Sequence, residues 1–190
     1  MPRDYINQAP TAFQRRPHLT KDEDWIRAFL REAKIGHIAS SLDGQPFLNP
    51  TMFWLDEANH QIVFHSNVAG RLRSNIESNP KVSLEASELG KFLPSNVAIE
   101  FSLQFRSAVV FGTASVITDP AEARRLLYGL IGKYFPTMTA GKEYREITDK
   151  ELRATSIYTL KIENWSGKEN WADRADQSDE WTPLDEKWFE

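Results

Sequence analysis

Three β-type runs follow one another between residues 37 and 65 with no room for a helix between them. The first covers 37–42. Asp43-Gly44 then marks a two-residue hairpin, because such a turn needs positive φ at its centre. The second run covers 45–55, and Glu57-Ala-Asn59 turns the chain into the third, 60–65. Strands in direct succession imply an antiparallel meander and exclude a βαβ sheet. Three later runs extend it: 81–89, with Val82, Leu84 and Ala86 alternating; 100–117, where Gly112 signals a bulge or bend; and 156–163. The helices are peripheral. Thr20-Lys-Asp-Glu23 reads as a capping box before an apolar face of Trp25, Ile26, Phe29, Leu30 and Ala33, closed by Gly36. Asp119, Pro120 and Glu122 start another helix, buried through Leu126, Leu127, Leu130, Ile131 and Tyr134. Residues 139–155 read as charged and partly irregular. The expectation is a mainly β chain with peripheral helices, folded as a six-stranded antiparallel barrel, closed or nearly so.

The chain divides into a proline-marked arm over 1–19, a single domain over 20–165 and a Trp-rich acidic tail over 166–190. A net charge of −4 leaves no electrostatic footprint for nucleic acid or an anionic membrane. The absence of cysteine removes disulfides, thiolate metal sites and thiol nucleophiles. No apolar run approaches the roughly 18 residues of a membrane span, and the N-terminus does not read as a signal peptide. A cytoplasmic protein without nucleic-acid or membrane partners is the default expectation.

The chemistry concentrates in 62–82. Ile62, Val63 and Phe64 make a buried strand, His65, Ser66 and Asn67 supply polar groups, and Gly70 lets the backbone approach a ligand. Leu72 and Ile76 share one face of a helix over about 69–78, which Asn79-Pro80 stops. Arg71 and Arg73 fall in its first turn, where the helix dipole favours anions over cations. Two arginines there fit an anion held by the turn, with Ser66 and backbone amides completing a phosphate site; the plainer reading is a solvated, capped helix. The four histidines (His18, His37, His60, His65) lack metal-ligand spacing, no serine sits in a nucleophile elbow, and no acid–base pair stands out.

Read in order, the capped helix, G-H-I-A-S-S-L-D-G-Q-P-F-L-N-P-T-M-F-W, V-F-H-S-N-V-A-G-R-L, N-P-K-V and R-S-A-V-V-F-G-T-A resemble the pyridoxamine 5'-phosphate oxidase-like superfamily. Its members are FMN-binding split β-barrels, and the nitroimidazole-reductase-like branch is nearer than the vitamin-B6 oxidases. The resemblance covers residues 20–165 and implies a homodimer with FMN at the subunit interface. It places Pro50, Thr51 and Met52 along the flavin ring, although plain strand packing accounts for Met52 equally well. His65 and Ser66 fall at the ribityl and phosphate edge, and Gly70, Arg71 and Leu72 in the phosphate turn. Ser107 corresponds to a position reaching in from the partner. The B6 oxidases carry a second basic residue where this chain has Leu72, so Arg73 is the only nearby substitute. The substrate-holding arginine–histidine motif of those enzymes has no match, which argues against pyridoxamine phosphate oxidation.

Trp165, Trp171, Trp181 and Trp188 cluster near the C-terminus. After Trp165, Ser166-Gly-Lys-Glu-Asn-Trp171 reads as a loop leaving the strand. An indole there could stack near the flavin, while the plainer role is anchoring the tail to the barrel or the partner subunit. The resemblance implies an FMN-dependent oxidoreductase reducing a small organic substrate with electrons from NAD(P)H, with no assignable catalytic side chain and no metal. The alternatives are a non-enzymatic flavin- or haem-binding module and a deazaflavin-dependent reductase. Against haem, His65, a conceivable axial ligand, stands beside the phosphate turn.

Overall fold

In the computed structural model, which describes residues 7–189, one antiparallel sheet of eight strands carries four α-helices. The strands are β1 (Thr20–Lys21), β2 (Gly36–Leu42), β3 (Gln45–Thr51), β4 (Phe53–Asp56), β5 (Gln61–Asn67), β6 (Lys81–Leu93), β7 (Ser102–Val116) and β8 (Thr155–Asn170). The helices are α1 (Glu23–Glu32), α2 (Arg71–Ser78), α3 (Pro120–Tyr134) and α4 (Asp149–Ala154). Along the sheet the order is β3-β2-β6-β7-β8-β5-β4, with β1 added to β8. Asp43 and Gly44 both have positive φ, as the hairpin signal requires.

Eight strands replace the expected six for two local reasons. The run read as 45–55 is divided at Met52, and its halves pair with different neighbours, β3 with β2 and β4 with β5. The two edges of the sheet are therefore consecutive pieces of one chain, which is what closes the barrel. Tyr134 of α3 pins this seam. Its hydroxyl accepts the Phe53 N–H at 3.0 Å and donates to the Lys34 carbonyl at 2.8 Å. The second addition is β1, where Thr20 pairs with Lys168. The helix starts beyond it, at Glu23, and the Thr20 hydroxyl donates to the Pro17 carbonyl, so Thr20 does not cap α1. Asp22 does, its carboxylate accepting the Trp25 N–H at 2.9 Å.

Inward-facing Ile38, Leu84, Val110, Leu160, Phe53 and Phe64 fill the barrel, and α1 and α2 close it with Leu30 and Ile76. A smaller second core lies outside the barrel wall, where α3 lays Ala123 and Leu126 over Val63 and Ile157. Fully burying each such aliphatic side chain contributes about 1.5–3 kcal/mol. Residues 139–155, read as partly irregular, include α4 with a complete Thr148–Glu151 capping box. β8 also runs on to Asn170 instead of breaking after Trp165. Gly167 stays in the strand because α1 lies directly on it: a Cβ there would sit 2.7 Å from the Ile26 side chain.

At Gly112 the β7–β8 register shifts, and a Cβ would fall 1.9 Å from the Lys161 carbonyl oxygen. Gly112→Ala should therefore lower unfolding free energy in urea by about 3 kcal/mol. A loss under about 1 kcal/mol would show that the two strands can part there without penalty.

Candidate functional site

β5 turns two different chemistries to its two sides, because successive strand residues point to opposite faces. Phe64 and Ser66 face inward: Phe64 stacks on Tyr158 at 4.9 Å, and the Ser66 hydroxyl lies 2.9 Å from the Tyr158 hydroxyl. Ser66 also donates to the Asn67 carbonyl at 3.0 Å, so its proton is already engaged. Val63 and His65 face outward, beneath α3.

Beyond β5 the chain makes the turn into α2. The Asn67 side chain accepts the Ala69 N–H at 3.0 Å. Gly70, at φ 142°, precedes the helix in a conformation that favours glycine, and no atom lies within 4 Å of where its Cβ would be. No side chain caps α2, so its first N–H groups are available to a ligand. Leu72 is buried in the core, which leaves Arg71 outside and exposed. Arg71 has no ion pair or hydrogen bond among the described residues. Arg73 is engaged: its Nε donates to Glu77 at 2.5 Å and its Nη1 to the Ser156 hydroxyl at 2.9 Å. It ties α2 to β8 and does not replace the missing second phosphate cation.

The remaining expected residues are spread over β3, β7, β8 and the seam between β3 and β4. Pro50 is exposed on β3 opposite His37, and Thr51 is buried with its hydroxyl donating to the Met52 carbonyl at 3.0 Å. Met52, at the seam, shares a cavity with His65. Ser107 and Trp165 lie on β7 and β8, away from the turn. Ser107 pairs with Ser87 and Lys168, and Trp165 stands nine residues along β8 from Ser156, about 30 Å away. The Trp165 ring is packed edge-on against His60 at 5.0 Å and under the Arg27 guanidinium at 4.7 Å. Within one chain, neither residue joins the turn.

The cavity beside His65 has a volume of about 500 Å³ and lies between β5, α3 and the segment leading to α4. Leu127, Leu130, Ile131 and Phe135 make its lining largely apolar, with Arg145 and Glu151 among its polar residues. Arg145 reaches Glu151 with both terminal nitrogens, at 2.9 and 2.6 Å, and this pair holds the carboxylate of Glu151 down to about 2. The imidazole Nδ1 of His65 is buried with no hydrogen-bond partner. Burial also pushes the ring's pKa below its ordinary value, keeping it neutral at physiological pH. A neutral, unpartnered imidazole on an apolar cavity is a suitable donor for a metal-centred planar group. No cluster of three or more His, Cys, Asp or Glu that could hold a bare metal ion occurs among the described residues. No helix of the described residues is long and apolar enough to cross a membrane. Sequence reasoning missed this cavity. Its one signal was the doubled apolar stripe of α3, which exceeds what one packed face needs.

The family model for pyridoxamine 5'-phosphate oxidase matches residues 22–169. No curated protein matches the chain. Among solved structures, the flavocytochrome Anf3 of Azotobacter vinelandii is 26% identical, with a TM-score of 0.79 over 88% of this chain and 76% of that one. A FAD and haem binding protein of Mycobacterium smegmatis is 28% identical, with a TM-score of 0.74 over 84% and 76%. A candidate 5-nitroimidazole antibiotic resistance protein of Bacteroides thetaiotaomicron shares the fold at 20% identity and a TM-score of 0.66, over 79% and 85%.

The two arginines should separate in a stability assay. Arg73→Ala should lower unfolding free energy by about 1–2 kcal/mol through its lost bonds to Glu77 and Ser156, while Arg71→Ala leaves it unchanged. Equal losses would contradict the assignment. His65 gives a pH signature. Its folded pKa lies below the ordinary value of about 6.5, so as pH falls the unfolded chain takes up this proton first and stability declines. In His65→Phe that part of the decline should disappear from urea midpoints measured between pH 7 and 5.

Proposed function

Since the chain belongs to the pyridoxamine 5'-phosphate oxidase family, we propose that it is a flavin-dependent oxidoreductase whose Gly70–Arg71 turn holds the cofactor's phosphate. The observation that carries this reading is Arg71: an exposed, unpaired guanidinium beside the uncapped start of α2. Gly70 lets a phosphate oxygen approach the backbone, the first N–H groups of α2 supply neutral donors, and Arg71 supplies a bidentate, charged one. Burial of Leu72 orients Arg71 outward. Thr51 and Met52 at the seam offer backbone groups to the flavin ring. When bound, the flavin supplies the electron and hydride chemistry, and the chain's residues bind and orient it.

The proposal extends to a homodimer. The outer face of β3, β2, β6 and β7 carries the row Leu48, Ala39, Ser83 and Phe111, followed on β8 by Asn164. Leu48 in that row is 66% exposed. A second copy packed on this face is the route by which Ser107 could reach the other subunit's flavin, while Trp165 stays held by His60 and Arg27 within its own chain. The electron donor we propose is NAD(P)H, and the substrate is a small reducible organic molecule.

A second reading, haem alongside the flavin, is favoured by one specific observation: the buried, unpartnered Nδ1 of His65 on a largely apolar cavity of about 500 Å³. Two solved structures above 25% identity, one a flavocytochrome and one named for FAD and haem, support it. His65 would hold the haem iron, and Leu127, Leu130 and Ile131 would give the group an apolar setting.

Fluorescence titration of the apoprotein tests the first reading. Arg71→Ala should weaken flavin binding at least tenfold, about 1.4 kcal/mol; unchanged affinity would remove Arg71 from the site. Hemin titration tests the second. A Soret band should appear with the native chain and be lost with His65→Ala, while flavin affinity is kept.

A further inference from the structure

We propose that the tip of the β6–β7 hairpin and the C-terminal tail form one apolar clasp that docks on a second copy of this chain. This rests on the homodimer reading above and adds to it a contact beyond the barrel wall. β6 has β2 beside it only at Ser83, Leu84 and Glu85. Further on, residues 92–93 and 102–103 pair with each other, with no third strand beside them among the described residues. The tail folds back onto this arm and is bound through its backbone. Ser95 Oγ donates to the Asp176 carbonyl at 2.6 Å, and Gln104 Nε2 donates to the Ala172 carbonyl at 3.0 Å. Asn96 Nδ2 donates to the Ser178 carbonyl at 2.8 Å, and its Oδ1 accepts the Ser178 N–H at 2.9 Å. Ser95 and Gln104 are buried, so polar bonds hold the lobe together from inside.

The apolar side chains are left outside. Leu89, Phe92, Ile99, Phe101, Trp181 and Trp188 are each between 60% and 82% exposed. Phe92, Phe101 and Trp188 line one cavity of about 630 Å³. The four aromatic rings alone leave roughly 400–700 Å² in water. The largest apolar patch of an ordinary monomer is about 300–600 Å² in all, and a stable interface takes about 800 Å² per partner. Register decides the occupant. Leu89 pairs with Phe105 and Phe92 with Leu103, which puts them on the face that carries Ser107, Val109 and Phe111 further along β7. That is the face on which the second copy is proposed to pack, so barrel wall and clasp make one surface. Ser107 lies one row in from the Leu89–Phe105 pair, and a docked clasp therefore fixes where Ser107 meets the other subunit. A lipid surface fits less well. Asp179 and Glu180 precede Trp181, and Asp185 and Glu186 precede Trp188, so each ring carries charges that an anionic headgroup layer repels.

Sedimentation equilibrium at micromolar concentration tests the clasp, on the native chain and on Phe92→Asp, Ile99→Asp, Leu48→Asp and Met138→Asp. All four variants replace exposed apolar side chains, so none empties the core, and circular dichroism checks that each is folded. Phe92→Asp and Ile99→Asp should weaken association at least tenfold, while Met138→Asp, past the end of α3 and off the lobe, leaves it unchanged. Native dimer affinity in both lobe variants would overturn the proposal; if Leu48→Asp alone dissociates the chain, the homodimer reading stands without the clasp. Equal weakening by Met138→Asp would also overturn it, as an effect of added charge anywhere. A native chain that floats with phosphatidylcholine vesicles, and loses this with Phe92→Asp, would assign the rings to lipid instead. A native chain that stays monomeric would overturn the homodimer reading and the clasp with it.

Discussion

The structure depends on a covalent constraint: β3 and β4 are one stretch of chain that serves both edges of the sheet. An antiparallel sheet leaves a row of unpaired backbone groups at each edge, and here the two edges meet as one stretch of chain without pairing to each other. Here closure needs the chain to change partners at Met52, and a half-buried phenol holds it there. Tyr134 takes the Phe53 N–H and donates to Lys34, so α3 and the link behind α1 are fastened at the same point. Placing α3 against the seam also creates the second core and, at its open end, the cavity beside His65.

Alternation along β5 then separates the two candidate ligand positions. His65 and Ser66 are neighbours in sequence, yet one lies under α3 and the other meets Tyr158 inside the barrel. A histidine that neighbours the turn in sequence thus faces a different region from the turn. Met52 belongs to both regions, at the seam beside the proposed flavin ring and on the wall of the cavity.

Much of the fold was legible because its signals are local. Asp43-Gly44 announces its hairpin by a φ requirement, Asp119-Pro120 starts α3, and Gly112 marks the register shift between β7 and β8. The errors came mainly from tertiary competition. Thr20 looks like a cap but lies in β1, short of the helix start, Gly167 looks like a strand end until α1 lies on it, and 45–55 looks continuous because nothing local reveals a change of partner at Met52. At the site, residue types and spacing located the turn, but the state of each side chain was not readable. Arg71 and Arg73 are equivalent in sequence, and only the positions of Glu77 and Ser156 make one free and the other structural. The cavity was least legible of all, since its walls come from β5, α3 and the approach to α4, far apart along the chain.

The most direct test of the account is the visible absorption spectrum of the purified protein, as isolated and after incubation with FAD or FMN, before and after anaerobic addition of NADPH or NADH. The account predicts the two absorption bands of a bound, oxidised flavin, which survive removal of free cofactor and bleach on addition of a nicotinamide. A colourless protein that retains no flavin would contradict it, leaving a split barrel whose open turn serves some other ligand.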